Sequence, residues 1–224
     1  MRALVLAAAL VSSATWANAE DRTVPAFSSV HISAGMRATV TVGPQKPVHL
    51  EASPELLALV ETVVEDGALQ VRFKPHANWH DHDGPVKLTL QTPALHAVGA
   101  SGGSVVDAAF TKAERSEVQA SGGSEIRVRG VDAATLSAQA SGGSVLEIAG
   151  SAGAVELQLS GGSQLHGRDL AARDARVQGS GGSQADLKVT GGLRGGLSGG
   201  SQVHVTGGAS SRVSTSGGSG VFND

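Results

Sequence analysis

Residues 76–84 read HANWHDHDG and gather His76, His80, Asp81, His82 and Asp83 within eight positions. Neutral imidazole and carboxylate suit Zn²⁺, Ni²⁺ or Cu²⁺, so this stretch is a candidate metal site. Its spacing matches no known metal motif, and the plainer reading is a polar loop between two strands, ended by Gly84-Pro85. A second constellation is Arg176, Arg194 and Arg212, each four residues ahead of an SGGS tetrapeptide. Three recurring guanidinium groups with no acid between them in that row point to an anionic ligand, because Arg forks match carboxylate and phosphate. The plainer reading is a solvated basic face, with Arg168 and Arg173 nearby paired to Asp169 and Asp174. A third set is Asp107, Arg127, Glu147, His166, Asp186 and His204, each the third residue after an SGGS. Its alternating charges read as a salt-bridge ladder on a sheet, and His166, Asp186 and His204 form a sharper alternative as a shared metal site. GASGG (99–103) and GLSGG (196–200) match the G-x-S-x-G nucleophile elbow. That elbow requires a strand–turn–helix context, and both copies lie inside a β pattern.

The elements that position these residues follow from the repeat. SGGS begins at Ser101, Ser121, Ser141, Ser160, Ser180, Ser198 and Ser216, in steps of 18 to 20 residues. No enzyme needs seven copies of one loop, whereas a period near 20 marks stacked coils. The second residue after each copy is apolar: Val106, Ile126, Leu146, Leu165, Ala185, Val203 and Val221. The third is polar in six of the seven, and the fourth is mostly apolar again. Two residues before the motif stand Gln119, Gln139, Gln158 and Gln178. Such period-2 alternation predicts strands with one buried face on each side of the motif. The fold expected is an all-β, single-stranded parallel β-helix with coils of about 20 residues, its crossovers right-handed as parallel crossovers usually are. Each coil should hold two main strands, with the variable stretch between them as the other turn. SGGS then forms a corner, with the first Gly and second Ser inward and the first Ser and second Gly outward. The outward Ser and Gln rows are expected to hydrogen-bond as ladders of identical side chains. The calcium-binding nonapeptide of other β-rolls does not fit, since no Asp recurs beside the glycines.

Composition agrees with a thin core. Hydrophobic residues make up 40% of the 224 but aromatics only 3%, with no Tyr, so Val, Leu, Ile and Ala must fill the interior. Residues 1–19 (MRALVLAAALVSSATWANA) have a single Arg, an apolar run and a small-x-small end, as a signal peptide cut after Ala19 does. The apolar run is too short to span a bilayer, and no later stretch is longer. There is no Cys, hence no disulfide or lipidated cysteine. The mature chain is therefore expected in the periplasm, on the cell surface or outside the cell. A net charge of −3 together with export argues against nucleic acid as a partner. Residues 20–97 are strand-rich but irregular, either divergent first coils or a cap, and 98–224 hold the SGGS coils. Within the first part, PELLALVETV (54–63) reads as a short helix capped by Ser53.

The order signal peptide, SVHISAGMRATVTVG, VHLEAS, LQVRFKP, VKLTLQTPALHAVGASGGS and then serial SGGS units resembles the head GIN domain family of auto-transporter adhesin-like proteins. The resemblance covers about residues 24–220. It implies a right-handed parallel β-helix and an adhesin-like role, and it carries no catalytic residues or cofactor. With nothing after Asp224 to form an outer-membrane barrel, the chain is not expected to export itself as an auto-transporter does. The leading expectation is a non-enzymatic exported protein that binds an envelope or surface polysaccharide, or a protein partner, through its repeated side chains. Self-association end to end through the last coil at Val221 and Phe222 is a further possibility. Two alternatives remain: a polysaccharide-active enzyme on a β-helix scaffold, which needs clustered carboxylates, and a periplasmic metal-binding protein built on residues 76–83.

Overall fold

Alternating apolar and polar residues on both sides of a corner repeated about every 20 residues force extended segments to stack on their own next copies. The structure is a computed structural model and describes residues 18–77 and 84–223. The chain opens with β1 (Asn18–Arg22), β2 (Ser29–Ile32), β3 (Arg37–Val42) and β4 (Val48–Ala52). Helix α1 (Pro54–Leu59) leads into β5 (Val60–Glu65), β6 (Ala68–Phe73) and β7 (Lys87–Thr92). The coils follow as β8 (Ala97–Ala100), β9 (Val105–Ala109), β10 (Ala113–Ala120), and the long bent strands β11 (Glu125–Ala140), β12 (Val145–Leu159) and β13 (Gln164–Gly179). The last are β14 (Gln184–Val189), β15 (Gly192–Leu197), β16 (Gln202–Thr206), β17 (Ser210–Thr215) and β18 (Gly220–Asn223). From β8 onward the pairing is parallel and like meets like: Ile126 pairs with Leu146, Gln139 with Gln158. Seven SGGS corners bound six full turns of a β-solenoid.

Each coil has three faces where two were expected. In β11 the buried residues are Ile126 and Val128, then Val131 and Ala133, then Leu136, Ala138 and Ala140. The inward parity changes at Arg129–Gly130 and again at Ala134–Thr135, so the chain bends at both. The variable stretch is therefore no simple turn. Its residues 131–133 pair with 150–152, and these with 170–172, as a short third wall. The interior is built of stacked small side chains, for example Val98, Val118, Ala138, Leu157 and Val177, each at most 1% exposed. Burying each Val or Leu in such a column contributes roughly 1.5–3 kcal/mol. One inward position departs from this pattern: Ser116 lies in register with Leu136, and its hydroxyl is buried without a hydrogen-bond partner.

The SGGS corner differs from the expectation in one respect. The second Ser points inward as expected, and its hydroxyl is satisfied within its own turn: Ser144 is buried, and its Oγ donates to the Ser141 carbonyl at 2.7 Å. The first Gly does not point inward. Both glycines are exposed, because both adopt left-handed backbone, φ 65° at Gly142 and 76° at Gly143, which carries them off the sheet face. The two have different reasons to be glycine. A Cβ on Gly142 would lie 3.2 Å from the Gly122 amide nitrogen of the preceding rung, and one on Gly122 would lie equally close to Gly102. A Cβ on Gly143 would meet nothing within 4 Å, so only its dihedral favours glycine there.

The N-terminal part combines coils with a cap. β2 and β3 form a rung whose corner is Ser33-Ala34-Gly35-Met36, with left-handed Ala34 (φ 64°) and Gly35 (φ 73°). β2 lies between β6 and β8, and β3 between β7 and β9, so the chain enters the solenoid at its second rung. Antiparallel strands then close the end: β5 on β6, β4 on β7 and β1 on β4. This arrangement covers the sheet edge that an uncapped coil would present. The helix expected over 54–63 stops at Leu59. Ser53 caps it, its Oγ accepting from the Leu56 amide at 3.3 Å. The β-branched residues that follow, Val60, Thr62, Val63 and Val64, join β5 instead. Arg22 on β1 donates to the Leu57 and Val60 carbonyls at 2.7 Å each, tying the first strand to the helix end.

Two outcomes follow. Gly142→Ala should destabilise more than Gly143→Ala, for which the left-handed dihedral alone costs about 1–2 kcal/mol; chemical denaturation of the two variants measures the order, and equal losses would remove the stacking argument. In the cap, His49 Nδ1 lies 2.7 Å from Asp21 Oδ1. This hydrogen bond holds the imidazole above the usual histidine range; burial opposes it, and Glu51 adds to the rise. A raised folded pKa gives stabilisation that is full below about 6.5 and lost as pH rises through the folded value. An NMR titration should place the His49 midpoint above 6.5, with Asp21→Asn bringing it down.

Candidate functional site

Stacking the corners in register aligns every outward residue beside them into columns, about 4.8 Å from rung to rung. Gln119, Gln139, Gln158 and Gln178 form one such column, and Ser101, Ser121, Ser141, Ser160, Ser180 and Ser198 form its neighbour. Together they line a groove of about 1120 Å³ that runs across successive coils. Arg72, Gln70 and His31 stand toward its capped end, and Arg176 and Arg194 toward the other. The described lining includes no carboxylate. The expected hydrogen-bonded ladder of identical amides is not formed. Gln119 Nε2 donates instead to the Glu117 carboxylate two residues before it, a charged and therefore stronger acceptor than a neighbouring amide. Gln139, Gln158 and Gln178 have no side-chain partner among the described residues.

Register places Arg176, Arg194 and Arg212 directly above one another on three successive rungs, all exposed. Among the described residues none of the three has a hydrogen-bond or ion-pair partner. The same row continues toward the cap as Glu156, Ser137 and Glu117, so it is acidic in its first half and basic in its second. Two nearby cations are held otherwise. Arg173 Nε binds Asp174 Oδ2 at 2.9 Å, as expected, and Asp174 Oδ1 also accepts from the Gly192 amide at 3.0 Å. The Arg173 hydrogen bond, helped by that amide, holds the Asp174 carboxyl below the usual range. Arg168 pairs with Asp186 of the next rung at 3.2 Å and not with Asp169, its neighbour in sequence.

The alternating row occupies the wall after the corner, outside the groove. Arg127 bridges Asp107 at 3.7 Å and Glu147 at 3.1 Å, and it also reaches Glu125 on its own strand. His166 Nδ1 lies 3.5 Å from Asp186 Oδ2, while the His204 ring stacks on Phe222 with centroids 5.0 Å apart. These groups bind one another as a ladder. Ser101 and Ser198, from the two elbow-like matches, sit at ordinary corners.

Segment 74–86 replaces the corner of the β6–β7 rung. Its His76 is exposed, with φ 62°. The other proposed ligands, His80, Asp81, His82 and Asp83, lie outside the described residues. Among the described residues no group of three or more His, Asp or Glu is placed to hold a metal.

Two features of the groove were not read from the sequence. The first is the divergent corner at Ser33, which aligning SVHISAGMRATV on AVGASGGSVVDA would have revealed. The second is the pair of gaps in the Gln column at Gly99 and Gly196. At Gly99 a Cβ would fall 2.2 Å from His31 Nδ1, so the His31 ring fills that gap.

The fold recurs in solved structures at low sequence identity. A "putative adhesin" from Bacteroides fragilis superposes with a TM-score of 0.81 at 15% identity, covering 94% of this chain and 98% of the other. A "putative adhesin" from Parabacteroides merdae gives 0.68 at 14%, covering 94% and 97%. A "putative lipid binding protein" from Parabacteroides distasonis gives 0.67 at 13%, covering 94% and 98%. No curated protein matches the chain. Residues 26–209 match a family model, and on that match the chain belongs to the family described as "putative auto-transporter adhesin, head GIN domain".

Proposed function

We propose that the protein is an exported, non-enzymatic, adhesin-like β-solenoid that binds a linear polysaccharide of the envelope or cell surface along the Gln/Ser groove. The observation that carries this reading is the column of outward amides and hydroxyls at rung spacing, leading to arginines without partners. A pyranose unit is similar in length to the rung spacing of roughly 4.8 Å, so a sugar chain laid along the axis meets the same donors at each step. An extended peptide repeats roughly every 6.6 Å on one face and falls out of step. Individually weak contacts then add through multivalency. Arg176, Arg194 and Arg212 supply charge-assisted contacts to any carboxylate or phosphate the chain carries. Family membership and the adhesin-like neighbours support the same general role.

The non-enzymatic reading draws on the acids. Glycoside chemistry uses two carboxylates flanking a substrate groove. Here Asp107 and Glu147 share Arg127 on another wall, and Glu117 and Glu156 stand two rungs apart in one row on the same side of the groove, so they do not flank it. Export rests on the signal-peptide pattern of residues 1–19. No helix among the described residues is long and apolar enough to cross a membrane.

Glycan-array and calorimetric titration of the purified protein should show saturable binding to at least one linear polysaccharide. The variant Arg176→Glu/Arg194→Glu/Arg212→Glu should weaken binding of acidic members by about tenfold or more, since each charge-assisted hydrogen bond contributes about 1.5–3 kcal/mol. Absence of binding by the unmodified protein would refute the polysaccharide reading.

A further inference from the structure

Gly196 occupies the position in the Gln column next above Gln178, with Ser214 above it. Most glycines of the coils are demanded by the backbone. Its neighbour Gly195 has φ 150°, and a Cβ there would lie 1.7 Å from the Val177 carbonyl oxygen. Gly196 is under no such demand. Its φ lies outside the left-handed range, and an added Cβ would meet only the Ser214 carbonyl oxygen, at 4.0 Å. The other gap in the column, Gly99, is filled by His31, whereas this one stays open. The result is a notch in the groove wall, one side chain deep. Arg194 is two residues before it on the same strand, Ser198 two residues after it, and Arg176 and Gln178 lie on the rung below.

The charge pattern narrows what would enter. The groove is lined by neutral amides and hydroxyls over most of its length and is cationic at the notch. At the capped end Arg72 is already bound by Glu61 at 3.0 Å. Beside the neutral stretch, the row that becomes basic at Arg176 carries Glu117 and Glu156. A uniformly acidic polymer would be repelled along that half. A mostly neutral chain with a single acidic group satisfies both halves.

We infer that Gly196 opens a seat for one carboxylate-bearing substituent of an otherwise neutral linear glycan, with Arg176 and Arg194 as its cationic partners. This rests on the polysaccharide reading of the groove and adds to it the position and charge distribution of the ligand. Filling the notch with the residue the column otherwise carries, Gly196→Gln, should abolish the preference for an acid and leave the neutral contacts.

The test uses matched probes: cello-, malto-, manno- and xylohexaose, each beside the same oligosaccharide oxidised at its reducing end to the aldonic acid, which adds one carboxylate. Calorimetry with the unmodified protein should show at least one aldonate bound about tenfold more tightly than its neutral parent. In Gly196→Gln that ratio should fall to about one while affinity for the parent is kept. Gly196→Ser, a smaller filling checked by circular dichroism, serves if the Gln variant does not fold. An undiminished ratio in a folded variant would overturn the notch and leave the groove reading standing. Equal binding of acid and parent by the unmodified protein would do the same. No binding of any probe would overturn the notch together with the groove reading.

Discussion

The contact on which the structure depends is the close approach of each corner's first glycine to the amide nitrogen of the corner before it. Stacking at 2.9–3.3 Å, measured to where a Cβ would sit, leaves little room for a side chain or for slippage. A shift of one residue would put Ser, Gly and the flanking Val or Ile into each other's places and turn the buried face out. The corner therefore sets the register for the whole rod. The second Ser completes it by satisfying its hydroxyl within its own turn, as at Ser104, Ser124, Ser144, Ser163, Ser183 and Ser201. A thin aliphatic core can then stack Val on Val and Leu on Leu, although it has few large side chains to lock it.

Register is also what makes a surface from single residues. Arg127 reaches Asp107 and Glu147 because three coils present the same position in line. The same rule puts Arg176, Arg194 and Arg212 in a column, where none of them makes a hydrogen bond or ion pair among the described residues, although Glu156 is in register with Arg176 on the strand before it. One wall of the solenoid thus spends its charges on itself, and the next keeps its amides and guanidinium groups for something else. The difference lies in the sequence of charges from rung to rung, alternating in one row and segregated in the other.

Much of this was legible in the sequence because the repeat is strict. Parallel stacking, the inward residues, the position of the corner and the alternating ladder all follow from period 20 and period 2. What escaped were features that depend on geometry around the period. The inward placement of the first glycine failed because alternation assumes extended backbone, and two left-handed residues break it at Gly142 and Gly143. The helix at Pro54 was overextended because the Val60 run satisfies a helical apolar pattern and is claimed by the exposed edge of β6. The pairing of Arg168 was sought along the chain at Asp169, whereas in a solenoid the nearer neighbour is one coil away, at Asp186. Ser33-Ala34-Gly35 went unread as a corner because two of its four residues had changed, and because its rung stacks out of chain order.

The central claim is that a register-locked column reads a repeating ligand one unit per rung. The most direct measurement is affinity against ligand length, for a homologous series from disaccharide to octasaccharide of whichever glycan binds. The account predicts that each added sugar strengthens binding by a similar factor until the chain spans the Gln column, and that affinity then levels off. An affinity that is fixed at the disaccharide and indifferent to further length would contradict it, since the site would then be a single pocket and the stacked rows would be structural alone.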